Sequence, residues 1–226
     1  ATMAIRRRAI RIEHSRQAIH AVKSLHRPDL YAWSVFDTAR NLDFNGTLWT
    51  RSGGNIAVDP MELSEHDRQH VAQLGGLDWI LLTNADHVRD TVAIAQFFDA
   101  RIAAPAAERE AAPLAALELD HLMEPDEVLG CGIRCVPMRG SKGFAGELAF
   151  LLPEEDTLIC GDLIRGQRAG SLNLLPDEKL TDKDLCIASV SELLQISRLE
   201  AILVGDGQSI FRNAAQRLTE LLPPAR

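Results

Sequence analysis

The apolar positions of this chain fall into three successive rhythms. Before Pro28, Ile5, Ala9, Ile12, Ile19 and Val22 recur at spacings that put them on one face of a helix. After Pro28 the pattern shortens into β-rich pieces at 31–36, 46–50 and 55–58. Asn45-Gly46 and Gly53-Gly54 read as turns, and Asp59-Pro60 stops the third piece. From there strand-like and helical runs alternate. Ser64 caps a polar helix to about residue 74, closed by Gly75-Gly76, and 77–83 is a compact apolar run with the look of a buried strand. A helix over 87–100 and a strand at 101–104 follow, then strands at 128–136, 147–152 and 157–160. Thr181 opens a helix to about 197, 201–204 is a further buried strand, and 210–222 is a last helix before Pro223-Pro224. The pattern predicts a mixed layered protein of the α/β (α+β) class.

Composition narrows this only slightly. A chain of 226 residues with 46% hydrophobic and 25% charged residues is large enough to fold on its core alone. No apolar run approaches the roughly 18 residues of a membrane span, and four cysteines are too few for a secreted disulfide framework. The expectation is a reduced, cytoplasmic protein without a membrane partner. Charge is more informative. Residues up to 27 carry a formal +6 and the remainder −14. That divides the chain into a basic N-terminal helical extension, 1–28, and a domain over 29–226. A basic amphipathic helix can meet membrane or nucleic acid, but the acidic body would repel the latter. The extension is therefore expected to pack on that body or on a second subunit of a homo-oligomer, with no nucleic acid as partner.

Three of the buried-strand candidates run into a carboxylate. The run at 77–83 leads to Asn84-Ala85-Asp86-His87, 157–160 leads to Gly161-Asp162, and 201–204 leads to Gly205-Asp206-Gly207. Ligands and catalytic groups of layered αβ folds gather at strand ends, so these acids and the histidine can converge on one point. A single acid there is usually only a helix cap, and Asp86 suits that role. Glycines beside Asp162 and Asp206 are not needed by a cap; they allow close approach of something to the backbone. Other motifs carry less. His66 and His70 have helical zinc-pair spacing but no third ligand, and Cys131, Cys135 and Cys160 read as small core residues.

The order of elements, with Gly53-Gly54-Asn55 running into Val58-Asp59-Pro60, Leu81-Leu82-Thr83 leading to Asp86-His87, Gly161-Asp162 and the closing Gly205-Asp206-Gly207, resembles the metallo-β-lactamase superfamily over residues 31–222. The resemblance implies a four-layer αββα sandwich with a metal site at one edge. The family signature is H-x-H-x-D-H followed by a distant histidine, a bridging aspartate and a final histidine. Asp86 and His87 match the end of that signature, and Asp162 matches the bridging acid. Asn84 stands where the second histidine would be, Leu82 near the first, and Asp206 replaces the last. The stretch Met138-Arg139-Gly140-Ser141-Lys142-Gly143, where the distant histidine belongs, has none. The resemblance therefore implies at most a mononuclear site of Asp86, His87, Asp162 and Asp206.

Such a donor set suits one divalent ion, zinc, iron or manganese. The implied activity is a metal-dependent hydrolase whose activated water attacks an ester, thioester or phosphoester of an unknown small-molecule substrate, with Asp86 as the alternative general base. Three carboxylates around a +2 ion weaken its Lewis acidity, which leaves a second reading open. In that reading no metal is bound, Lys142 or Arg139 fills the place of the ion, and the chain is an inactive binding or scaffolding module. Asn84, Lys142 and Arg165 are accordingly substrate-binding or charge-compensating candidates.

Overall fold

The computed structural model describes residues 21–142 and 146–223. The basic segment up to residue 20, in which the N-terminal helix is expected, lies outside them. Strand β1 (Lys23–Ser24) pairs antiparallel with β2 (Leu30–Asp37), which runs beside β3 (Leu42–Trp49) and then β4 (Ile56–Val58). Helix α1 (Glu65–Gln73) leads to β5 (Trp79–Leu81), α2 (Thr91–Phe98) to β6 (Arg101–Pro105), and α3 (Ala112–Ala115) to β7 (His121–Met123). Strands β4 to β7 are mutually parallel and complete a seven-stranded sheet in simple sequence order. The second sheet follows: β8 (Arg134–Pro137), β9 (Leu148–Leu151) and β10 (Thr157–Cys160) are antiparallel neighbours. A small hairpin of β11 (Ile164–Arg165) and β12 (Asn173–Leu174) and then α4 (Lys183–Leu193) intervene before β13 (Ala201–Val204), which returns parallel to β10. Helix α5 (Ala214–Thr219) closes the described chain.

Alternation along the strands builds the layers. In β10, Leu158 and Cys160 face one core while Ile159 faces another; in β13, Ile202 and Val204 oppose Leu203 in the same way. The outward core of this sheet is covered by Cys186, Val190 and Leu193 of α4 and by Ala214 and Leu218 of α5. In the first sheet Ala57, Ile80 and Ile102 meet Val71 of α1 and Ile94 of α2. Ile56, Val58, Leu81 and Ala103 turn inward to meet Phe150, Ile159 and Leu203 across the middle. Three apolar cores between four layers make the αββα sandwich, and strands buried on both faces must read as continuous apolar runs. Among the described residues no helix is long and apolar enough to cross a membrane.

Several elements depart from the sequence pattern, each for a local reason. Asn45-Gly46 is not a turn but the middle of β3. The real β2–β3 turn is 38–41, where Asp37 Oδ1 accepts the Ala39 and Arg40 N–H groups and Asn41 adopts φ 52°. Gly46 is there for space: a Cβ would stand 2.7 Å from the ring of buried Trp33, whose indole N–H is fixed on the Met61 carbonyl. Gly46→Ala is therefore expected to lower stability by about 2–3 kcal/mol, read as a shift in the urea midpoint with unchanged slope. The helix expected from 87 starts only at Thr91, because Ala85–His87 form a separate 3₁₀ turn. Asp182 rather than Thr181 caps α4, its carboxylate accepting the Leu185 N–H at 3.0 Å. The expected strand 128–136 shrinks to β8, and the expected helix 210–222 to α5, because Ile210 is held in a bridge to Ile202. Lys23 and Ser24 are strand rather than helix, and Arg27 ties this end of the chain to Asp29, Glu154 and Asp156.

Candidate functional site

Four strand ends meet at one edge of the sandwich. Asp59 follows β4, Thr83 to His87 follow β5, Asp162 follows β10 and Asp206 follows β13. The glycines of this region let these ends approach one another, not an outside group. A Cβ on Gly161 would stand 2.6 Å from Thr83 Oγ1, and one on Gly205 would stand 2.8 Å from the His87 ring. Asn45 clamps the Asp206 turn from β3, its amide donating to the Val204 and Gly207 carbonyls at 2.8 Å each.

His87 is the pivot. Its Nδ1 meets Asp59 Oδ2 at 2.7 Å, and Asp59 is itself fixed by the Thr83 N–H at 2.8 Å and the Thr83 hydroxyl at 2.6 Å. The other ring nitrogen, Nε2, faces Asp162 Oδ2 at 3.5 Å and the Arg89 guanidinium at 3.3 Å. Burial and Arg89 work to lower the His87 pKa, but Asp59 and Asp162 outweigh them and it is pushed up to about 9. Asp162 shows the reverse balance. Burial alone would raise its pKa, yet His87 and Lys142 hold it far below the usual carboxylate range.

Cations occupy the space between the acids. Lys142 Nζ stands 2.8 Å from Asp86 Oδ2 and 2.9 Å from Asp162 Oδ2. Arg165 Nη2 bridges Asp162 Oδ1 at 2.5 Å and Asp206 Oδ2 at 2.7 Å. Arg89 adds a contact to Asp206 Oδ1 at 3.2 Å and donates to the backbone carbonyls of Asn45 and Asp59. Behind them Glu147 accepts the Ser141 hydroxyl and the Leu163 N–H, so one buried carboxyl braces both the Lys142 segment and the chain after Asp162. Burial and the nearby Asp162 push the Glu147 pKa up to about 8.

Of the residues singled out in the sequence, His87, Asp162, Asp206, Lys142 and Arg165 converge here. Asp86 sits at the rim, more than half exposed, with its carboxylate on Lys142. Asn84 is the cap of the 3₁₀ turn, accepting the Asp86 N–H at 2.9 Å. Arg139 is elsewhere, paired with Glu192 on α4. Asp59, Arg89 and Glu147 join the site without being among the sequence candidates. Asp59 carries the signal used for the other acids, an apolar strand running into a carboxylate, and enters the sequence reading as a strand stop and as part of the family-like Val58-Asp59-Pro60. Leu172 and Leu175, which follow the Asp162 turn in sequence, are packed inward, with Leu172 in the second sheet's core.

The resulting cleft has a volume of about 370 Å³, with Asp37, Arg40, Phe44 and Met61 at its mouth. A larger cavity of about 420 Å³ lies at the other end of β4 and β5, over Ile56, Trp79 and Leu81; Asp120 lines it, as does the ion pair of His121 and Glu127 at 2.7 Å.

His87, Asp162 and Asp206 each offer one donor atom, all within 4.8 Å of one another, as a metal group would require. The remaining contacts do not fit a resident ion. Arg165 spans both aspartates, Arg89 is on the second oxygen of Asp206, and Lys142 is on Asp162 Oδ2, a buried oxygen held by charge without a well-directed hydrogen bond. Lys142, Arg89, Arg165 and a protonated His87 already balance Asp59, Asp86, Asp162 and Asp206.

The comparisons with known proteins agree with this architecture. Hydroxyacylglutathione hydrolase of Acidiphilium cryptum (strain JF-5) is 30% identical over 139 residues, covering 60% of this chain and 49% of that protein. The protein of the same name from Rhodobacter capsulatus is 29% identical over 147 residues, covering 64% and 51%. This chain thus spans about half the length of the curated relatives it matches. Among solved structures, a metallo-beta-lactamase from Pontibacter korlensis superposes with a TM-score of 0.70 at 13% identity, covering 88% of this chain and 95% of that one. The metallo-beta-lactamase FIM-1 from Pseudomonas aeruginosa, in its mono-zinc form, gives 0.67 at 15% identity over 89% and 94%. Identities this low speak for the fold alone. The family model for the metallo-beta-lactamase superfamily matches residues 22–224, nearly the whole described chain, and with the αββα layers and the strand-end acids in place the chain belongs to that superfamily.

Proposed function

We propose that this chain is a metal-free, ligand-binding member of the superfamily, in which side-chain cations do the electrostatic work of the ion and the cleft accepts a small molecule. One observation carries the reading: Lys142 and Arg165 sit between Asp86, Asp162 and Asp206 at 2.5–2.9 Å, taking up the carboxylate oxygens that an ion would need. Unpaired carboxylates packed this closely would repel, and two fixed cations remove that repulsion without a metal. The near balance of charge in the cleft suits a small ligand better than a nucleic-acid backbone, which needs a positive track.

The metal-dependent hydrolase is the second reading. It is favoured by the donor group of His87, Asp162 and Asp206, and by the orienting bond from Asp59 to His87, a carboxylate–histidine arrangement common behind metal ligands. Its substrate would be a thioester if the two curated relatives are a guide, since both are named hydroxyacylglutathione hydrolase. In that case His87 would hold the ion through Nε2.

Metal analysis separates the two. Protein purified without chelator and assayed by inductively coupled plasma mass spectrometry is expected to carry below about 0.1 equivalent of zinc, iron or manganese, unchanged in His87→Ala. About one equivalent, lost in His87→Ala together with hydrolysis of a hydroxyacylglutathione thioester, would overturn the metal-free reading and establish the second.

A further inference from the structure

We propose that Asp86 is a placeholder: its carboxylate occupies the position on Lys142 that the carboxylate or phosphate group of a small ligand takes on binding in the cleft. This rests on the metal-free reading, since it requires Lys142 rather than an ion to meet the ligand.

The two carboxylates on Lys142 are unequal. Asp162 is buried and locked from its far side by Arg165 at 2.5 Å. Asp86 is 58% exposed, and among the described residues Lys142 is the sole partner of its side chain. It stands on the 3₁₀ turn of Ala85–His87, held only through its backbone N–H by the Asn84 cap. An ion pair this exposed is worth about 0–1 kcal/mol, so an oxyanion from solution can replace it at little cost, while the Asp162 contact stays and keeps the ammonium aimed into the cleft.

A second anchor faces the same space. Arg40 lies at the mouth, its guanidinium 5.4 Å from the centre of the Phe44 ring, and no carboxylate pairs with it among the described residues. The other two guanidiniums of the cleft are spoken for: Arg89 by Asp206 and backbone carbonyls, Arg165 by Asp162 and Asp206. Asp37 also lines the mouth, but its Oδ1 is turned to the Ala39 and Arg40 N–H groups. The available charges are thus the partly exposed ammonium of Lys142 and the planar guanidinium of Arg40, both lining the cleft and each able to meet an oxyanion. Phe44 and Met61 between them offer an apolar wall, and about 370 Å³ accommodates a molecule of metabolite size.

The test is calorimetric titration at constant ionic strength, with inorganic phosphate and with malonate, each run with and without a chelator. Saturable binding at one site is expected, tightened about two- to fivefold by Asp86→Asn, which removes the competing charge from an exposed position. Lys142→Met is expected to weaken it at least about tenfold, and Arg40→Ala to weaken it less. Melting curves confirm that each variant is folded, and Asp86→Asn keeps the test decisive if Lys142→Met is not. Weaker or unchanged binding in Asp86→Asn, with chelator-resistant binding in the parent, would overturn the placeholder and leave the metal-free reading standing. No saturable binding of either anion would also overturn it. Binding abolished by the chelator would place the anion on a metal and overturn the metal-free reading itself.

Discussion

Replacing Asp162 with alanine should cost about 3–5 kcal/mol of folding stability, the largest loss expected from any single change at the site. The carboxylate is buried and holds three cationic groups at once: Arg165 at 2.5 Å, Lys142 at 2.9 Å and the His87 imidazole at 3.5 Å. Alanine leaves Arg165 with Asp206, Lys142 with the exposed Asp86, and the buried His87 ring with Asp59 as its one acidic partner among the described residues. Lys142, 28% exposed, can turn to water, but Arg165 and His87 are buried and cannot do so without opening the strand ends that Gly161 and Gly205 bring together. For a domain with a typical 5–15 kcal/mol of total stability, such a loss puts a substantial fraction of molecules near unfolding, visible as a lower urea midpoint and poor soluble yield. Asp86→Asn is the internal comparison: it acts on the same lysine but from the exposed side, and should stay within about 1 kcal/mol of the parent. Equal losses for the two variants would mean that the ion pairs do not hold the strand ends.

The contrast between these two aspartates shows what the sequence could reveal and what it could not. Runs such as 157–160 and 201–204 are apolar on both faces because each strand lies between two cores, so their existence was legible without coordinates. Their alternation with helices made the mixed layered class legible, while the four-layer sandwich was implied only by the resemblance to the metallo-β-lactamase superfamily. Helix starts were less legible. His87 looks like a helix residue, but Asn84 accepts the Asp86 N–H and diverts the chain into a 3₁₀ turn before α2 begins at Thr91. Asn45-Gly46 has the composition of a turn, yet Asn45 is spent on the Val204 and Gly207 carbonyls and Gly46 on the space beneath Trp33. Those partners are about 160 and 13 residues away, so no local pattern could show them. The same applies to the cations. The sequence offers Lys142 or Arg139 for the place of an ion and does not choose between them; Lys142 pairs with Asp162, and Arg139, three residues away, pairs with Glu192. Which of two neighbouring basic residues enters a site depends on side-chain direction, and spacing alone does not encode it.

Stability should fall as pH rises from 6 to 9, and the sign follows from two groups that bind a proton more tightly in the folded chain. His87 has its pKa pushed up to about 9 from an ordinary 6.5. Its contribution is complete below 6.5 and is lost as pH rises through about 9, a loss on the order of 3 kcal/mol across that window. Glu147 acts in the same direction over a lower window, since burial and Asp162 push its pKa up to about 8 from 4.5. Asp162 has the opposite sign: held below its ordinary 3.8, it contributes above that value and is lost only in strong acid. The expected profile is therefore highest on the mildly acidic side and descends toward alkali. Urea midpoints at pH 6, 7.5 and 9 measure it, and Glu147→Gln should flatten the lower part of the descent while leaving the His87 part. A flat or rising profile would count against a protonated His87 between Asp59 and Asp162. It would also bear on the function proposed above, because a metal ligated by Nε2 requires a neutral ring, favours proton release and makes stability climb with pH. The direction of that one slope thus distinguishes a site closed by its own ion pairs from one built to hold a metal.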